Sequence, residues 1–149
     1  MNGVLPKGLE KIGVGVFYQC TSLHPIIIPP SASVKTIPEA AFCCCSALTN
    51  VELPDGLQEI EEGAFYQCTS LHAIIIPPYV KVIDNQAFYG CSELMNVELP
   101  VGLVKIGWWA LATLHVTVCH HYPPICNGDW QGGFQRLFTV DKCGVLRGN

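Results

Sequence analysis

Charge is scarce in this chain. Only 13% of its 149 residues are Asp, Glu, Lys or Arg, and the net charge is −4. An average soluble domain carries about twice that share of charge. A protein that grips nucleic acid needs a basic face, so that class is excluded. No apolar run reaches the ~18 residues of a membrane-spanning helix, so no membrane span is expected. The opening residues, MNGVLPKGLEKIG, lack the unbroken apolar core of a secretory leader. No Asn-x-Ser/Thr glycosylation acceptor occurs. No glycine-rich phosphate loop occurs either; Gly63, Gly90 and Gly102 sit at repeat turns, where a permissive backbone is reason enough. These absences favour a cytoplasmic setting. A cell-surface setting follows instead if the chain is a fragment of a longer one.

Apolar residues, by contrast, make up 50% of the chain, enough for a sizeable core in one domain. They are arranged as a repeat. Residues 17–30 read FYQCTSLHPIIIPP and residues 65–78 read FYQCTSLHAIIIPP. The prolines that end each apolar run, Pro6, Pro29, Pro54, Pro77 and Pro100, are spaced 23, 25, 23 and 23 residues apart. The two additional residues fall at Ser31–Ser33. Val34, Ile37, Phe42, Cys45, Leu48, Val51 and Leu53 align with Leu57, Ile60, Phe65, Cys68, Leu71, Ile74 and Ile76, and again with Val80, Ile83, Phe88, Cys91, Leu94, Val97 and Leu99. The first repeat supplies Leu9, Ile12, Phe17, Cys20, Leu23, Ile26 and Ile28. Odd repeats carry SLHxIIIPP and even ones NVELP, so the near-identical pair lies two repeats apart and points to duplication of a two-repeat unit.

Within each repeat, alternation predicts a short strand. Ile74 and Ile76 point to one face and Ile75 to the other. Pro77 and Pro78 end it, because proline cannot donate to a ladder. A second extended piece follows at Val80–Ile83. Ala87, Phe88 and Cys91 share helical spacing, which predicts one or two helical turns over residues 85–91. One coil turns too few apolar groups inward to offset the entropy of ordering its backbone. Stacked coils solve this by sharing their open edges, Phe upon Phe and Ile upon Ile.

The pattern L-x-x-I-x-I-P…V-x-x-I-x-x-x-A-F-x-x-C-x-x-L resembles the BspA-like class of leucine-rich repeat. Ile60…Ala64-Phe65-Tyr-Gln-Cys68-Thr-Ser-Leu71 and their counterparts carry the likeness, over roughly residues 3–107. The resemblance implies an α/β right-handed solenoid with a parallel β-sheet on one face and short helical turns on the other. It implies protein binding or adhesion, and no catalytic residue. We expect about five coils over residues 1–118, with repeats near 1–5, 6–28, 29–53, 54–76, 77–99 and 100–118. Residues 119–149 leave the period and are expected to form an irregular capping segment. Phe134, Leu137, Phe138, Val140 and Val145 are available to cover that end. At the other end the first strand is left uncapped, which invites association with another coil, from a second copy or a longer solenoid.

The cysteines need an account. Cys20, Cys45, Cys68 and Cys91 are in phase and read as a column of small buried thiols. Their parallel Cβ vectors are wrong for disulfides. Cys43 takes the place of Tyr18, Tyr66 and Tyr89, which sets it near the surface and suits a reducing compartment. Cys119, His121, Cys126 and Cys143, with Asp129 nearby, are ligand types suited to zinc. Their spacing matches no strong zinc pattern, and a capping loop holds such residues equally well without metal. Neither a metal nor another cofactor is therefore assigned.

The candidate binding site is the outward face of the sheet. His24 and His72 occupy one position in alternate coils, with Thr49 and Met95 between. Ile27, Glu52, Ile75 and Glu98 form a second row. Exposed isoleucines offer apolar contact and the glutamates set register against a basic partner. Histidine adds pH sensitivity near an ordinary pKa of ~6.5. The sequence reading is thus a non-enzymatic scaffold for an unknown protein partner, bound through His24, Ile27, Glu52, His72, Ile75 and Glu98. The competing readings are a truncated family member without its own activity, and a metal or thiol site in residues 119–143.

Overall fold

The proline after each apolar run fixes how long each strand can be, and the strands are correspondingly short. The computed structural model describes residues 3–112 and the backbone of three further segments, His115–Val118, Phe138–Val140 and Val145–Gly148. In chain order the strands are β1 (Gly3–Val4), β2 (Ile26–Ile27), β3 (Thr36–Ile37), β4 (Asn50–Glu52), β5 (Glu59–Ile60), β6 (Ala73–Ile74), β7 (Val82–Ile83), β8 (Met95–Leu99), β9 (Lys105–Ile106), β10 (His115–Val118), β11 (Phe138–Val140) and β12 (Val145–Gly148).

These strands build a parallel β-solenoid. One four-stranded sheet runs β1-β2-β4-β6 and a second runs β3-β5-β7-β9. In the first, Gly3 pairs with Ile26, Ile26 with Val51 and Val51 with Ile74. In the second, Ile37, Ile60, Ile83 and Ile106 stand in one register. The extended piece expected at Val80–Ile83 is therefore a strand of a whole second sheet. β10 continues parallel to β8, and then the direction changes. β12 runs antiparallel to β10, and β11 antiparallel to β12.

The core is the repeat made visible. Phe17, Phe42, Phe65 and Phe88 form one stacked column with centroids 5.1, 5.2 and 5.2 Å apart. Offset aromatic contact of this kind adds about 0.5–1.5 kcal/mol per pair beyond area burial. Leu111, fully buried, takes the Phe position in the next coil. That assignment follows from the ladder, in which Phe42, Phe65 and Phe88 donate to the carbonyls of Ala64, Ala87 and Ala110. At the two-residue insertion Ala32 tucks into the core, its amide bonded to the Pro29 carbonyl.

Two expectations need correction. Among the described residues there is no helix, so the α part of the α/β reading fails. The segments with helical spacing are ladders of tight turns. Tyr66 and Cys68 donate three residues back, to Gly63 and Phe65, whereas Gly63, Phe65 and Gln67 donate to Asn85, Ala87 and Tyr89 of the next coil. An α-helix would spend every one of those amides within its own segment. The backbone alternates its handedness to achieve this. Gly15, Ala40, Gly63, Gln86 and Trp109 share one position with φ of 52–60°, and Gln19, Cys44, Gln67 and Gly90 share a second at 56–78°. The second correction concerns length. The described residues make about four turns, not five. The fifth repeat adds β9, buried Ala110 and Leu111, but its sequence lacks a counterpart of the stretch ending in Cys20, Cys45, Cys68 and Cys91, from which the other coils form their last turn.

Candidate functional site

Alternation along β2, β4 and β6 buries Ile26, Val51 and Ile74 and turns their neighbours outward. Val4 pairs with Ile27 and Ile27 with Glu52. Carried one residue further, the pairing of Val51 with Ile74 sets Ile75 beside Glu52. Glu98 follows on β8, which packs next to β6. The row predicted from sequence, Ile27, Glu52, Ile75 and Glu98, is thus continuous in space, and Val4 extends it by one strand. Ile75 is 85% exposed and Val4 67%, while Ile27 is half-buried and both glutamates are exposed.

The second row lies just before the strands. His24 and His72 are exposed, Thr49 is half-buried and Met95 is exposed. The His72 amide donates to the Thr49 carbonyl at 3.3 Å, which ties this row into the coil-to-coil ladder. His72 Nδ1 lies 3.1 Å from the Ser70 carbonyl. A carbonyl can only accept, so in this contact Nδ1 carries the proton and a neutral ring presents Nε2 as acceptor. All six predicted residues share one face of the solenoid, as two adjoining rows.

Sequence reasoning overlooked the outer row of the second sheet, where Thr36, Glu59, Val82 and Lys105 stand in register. The signal was available, since each precedes a column isoleucine and must point away from the core. Lys105 Nζ bonds Asp84 Oδ1 at 2.9 Å on the surface, in a contact of about 0.2–1 kcal/mol.

Three thiols of the cysteine column are tied into the backbone of the neighbouring coil. The thiols of Cys45, Cys68 and Cys91 donate to the carbonyls of Phe17, Phe42 and Phe65, one coil back, at 3.0, 3.0 and 3.1 Å. Burial, which disfavours the thiolate, pushes Cys45 up to about 11 and Cys91 up to about 12, and raises Cys68 as well. Held protonated and sealed in the core, these three thiols are out of reach of solutes at neutral pH. Cys43 and Cys44 differ: both are half-buried, and their sulfurs lie 3.5 Å apart.

On the turn side, Tyr66 and Tyr89 stack at 5.5 Å, and Tyr89 meets Trp109 edge to face at 6.2 Å. Tyr18 stands apart from this stack, because Cys43 occupies the coil between. Cys119, His121, Cys126 and Cys143 lie outside the described residues. Among the described residues, no three of His, Cys, Asp or Glu converge as a metal site, and no helix is long and apolar enough to cross a membrane.

The comparisons with known proteins agree with this geometry. No curated protein matches the chain significantly. A leucine-rich repeat protein of T. pallidum is 36% identical, superimposes with a TM-score of 0.72, and is matched over 78% of this chain and 57% of its own. Leucine-rich repeat proteins of Bacteroides ovatus and Eubacterium ventriosum, each 19% identical, share the fold with TM-scores of 0.51 and 0.58. Those matches cover 78% and 97% of this chain, and 50% and 47% of theirs. The chain therefore spans about half the length of the solved structures it matches. The profile of the BspA type leucine rich repeat region matches residues 10–119 in 6 copies. On that match and on the column of stacked coils, the chain belongs to the BspA-type leucine-rich-repeat family.

Proposed function

We propose that the chain is a non-enzymatic scaffold that binds another protein on the outer face of its first sheet. The observation that carries this reading is Ile75, a large aliphatic side chain 85% exposed on a rigid sheet, with Glu52 and Glu98 on either side. An apolar centre between two acids fits a partner segment that pairs an apolar side chain with flanking lysines or arginines. His24 and His72 border the same surface and add exposed hydrogen-bonding groups at its edge.

Capture of partners from source cells on the immobilised chain, repeated with Ile75→Asp and with Glu52→Lys/Glu98→Lys, tests the reading. A partner of this face is retained by the wild type and weakened roughly tenfold or more by either variant, with the charge effect larger at low salt. Equal retention by all three proteins refutes it. Capture of nothing by the wild type favours a family member without activity of its own.

A further inference from the structure

Three coils carry Tyr after the column Phe, at Tyr18, Tyr66 and Tyr89, and Gln or Gly at the second left-handed position, at Gln19, Gln67 and Gly90. The exception is the coil with Cys43 and Cys44. Cys43 stands where the coils on either side carry Tyr18 and Tyr66. Cys44 sits at φ 61°, where the neighbouring coils have Gln19, Gln67 and Gly90. The two sulfurs are 3.5 Å apart, half-buried and free. We propose that Cys43 and Cys44 are a chelating dithiol that captures one trivalent arsenic centre of the organoarsenical class.

Geometry separates this from the other fates of a thiol pair. A disulfide usually needs Cα atoms about 4.4–6.8 Å apart, but neighbours across a trans peptide sit about 3.8 Å apart, and the chain has no cis peptide among the described residues. Direct S–S bonding is therefore strained, while a bridging atom is not. A centre bonded to both sulfurs at about 2.3 Å would see them at an angle of about 100°. That is the opening of a trigonal pyramid. Zinc would need further ligands, and no third group converges here among the described residues. Trivalent arsenic bearing one carbon substituent is complete with two sulfurs. The condensation balances without an oxidant. Two S–H and two As–O bonds of the hydrated arsenical break, two As–S bonds form, two waters leave, and arsenic remains trivalent. Burial and the contact with Cys44 push the Cys43 thiol up to about 12, which slows formation of the As–S bonds at neutral pH and leaves the balance of the condensation unchanged.

The test uses the full chain, reduced, with one equivalent of phenylarsine oxide, read by intact mass and peptide mapping. The expected result is a single adduct spanning Cys43 and Cys44, displaced by a small dithiol but not by excess monothiol. Cys43→Tyr and Cys44→Gln place residues that other coils already hold at these positions, so both should keep the fold by circular dichroism and lose the adduct. An adduct that persists in either folded variant, or maps to other cysteines, overturns the proposal. So does the absence of any adduct on the wild type.

Discussion

The Cys68 thiol donates to the Phe42 carbonyl at 3.0 Å, across the boundary between two coils. The same carbonyl receives the Cys45 amide of its own coil at 3.2 Å. One acceptor thus joins a turn to its neighbour, and the arrangement recurs at Phe17 and Phe65. A small donor that packs like an apolar residue suits this place, which is why cysteine recurs there.

The buried thiols make stability depend on alkaline pH. The unfolded chain ionises its cysteines near an ordinary value of 9.0, whereas Cys45 and Cys91 in the fold resist until about 11 and about 12. Below 9.0 neither state ionises and the contribution is intact. Between 9.0 and 12 the unfolded state loses protons first, so stability falls as pH rises. Urea unfolding at pH 7, 8, 9 and 10 should show a plateau and then a decline. The Cys45→Ala/Cys91→Ala variant should be less stable at pH 7 and decline less steeply.

Left-handed backbone at Ala40 predicts an unusual gain. An L-residue there costs roughly 1–2 kcal/mol relative to a relaxed conformation, and glycine avoids most of it. Ala40→Gly should therefore stabilise the fold by about 1 kcal/mol in denaturant unfolding. Gly63→Ala, at the equivalent position one coil on with φ 60°, should destabilise by a similar amount.

Gly107 predicts the opposite of tolerance. A Cβ there would stand 2.3 Å from the Asn85 amide nitrogen and 2.5 Å from the Asp84 carbonyl carbon. Both are backbone atoms and cannot swing aside. The close approach exists because the Gly107 amide reaches the Ile83 carbonyl at 2.7 Å. Gly107→Ala should cost about 1–3 kcal/mol by overpacking, read as a lower unfolding midpoint.

Much of this architecture was legible in the residue order, for a physical reason. Burial repeats every turn of the chain, so Phe42, Phe65 and Phe88 announce their column before any coordinate is seen. The outward row of Glu52, Ile75 and Glu98 was legible for the same reason, through strand alternation. The turns were not. Ala87, Phe88 and Cys91 fit a helix and a ladder of tight turns equally well, because both bring them to one side. What distinguishes the two is the sign of φ at Ala40, Gln86 and Trp109, and none of these is the glycine that would betray it. Gly15 and Gly63, two repeats apart at that same position, were the one available hint. The closeness of the Cys43 and Cys44 sulfurs was likewise invisible, since it depends on the left-handed turn between them.

The central claim is that no coil is stable alone, and the Phe column is where it can be struck. Phe65→Ala removes two of the three ring contacts in the column and should cost about 3–5 kcal/mol. Native-state hydrogen exchange on this variant measures where that loss is felt. The amides of Phe42, Phe65 and Phe88, each bonded to the next coil, should lose protection together, along with Cys44 and Gln67. Loss confined to residues 54–76, with the flanking coils protected as before, would contradict the account.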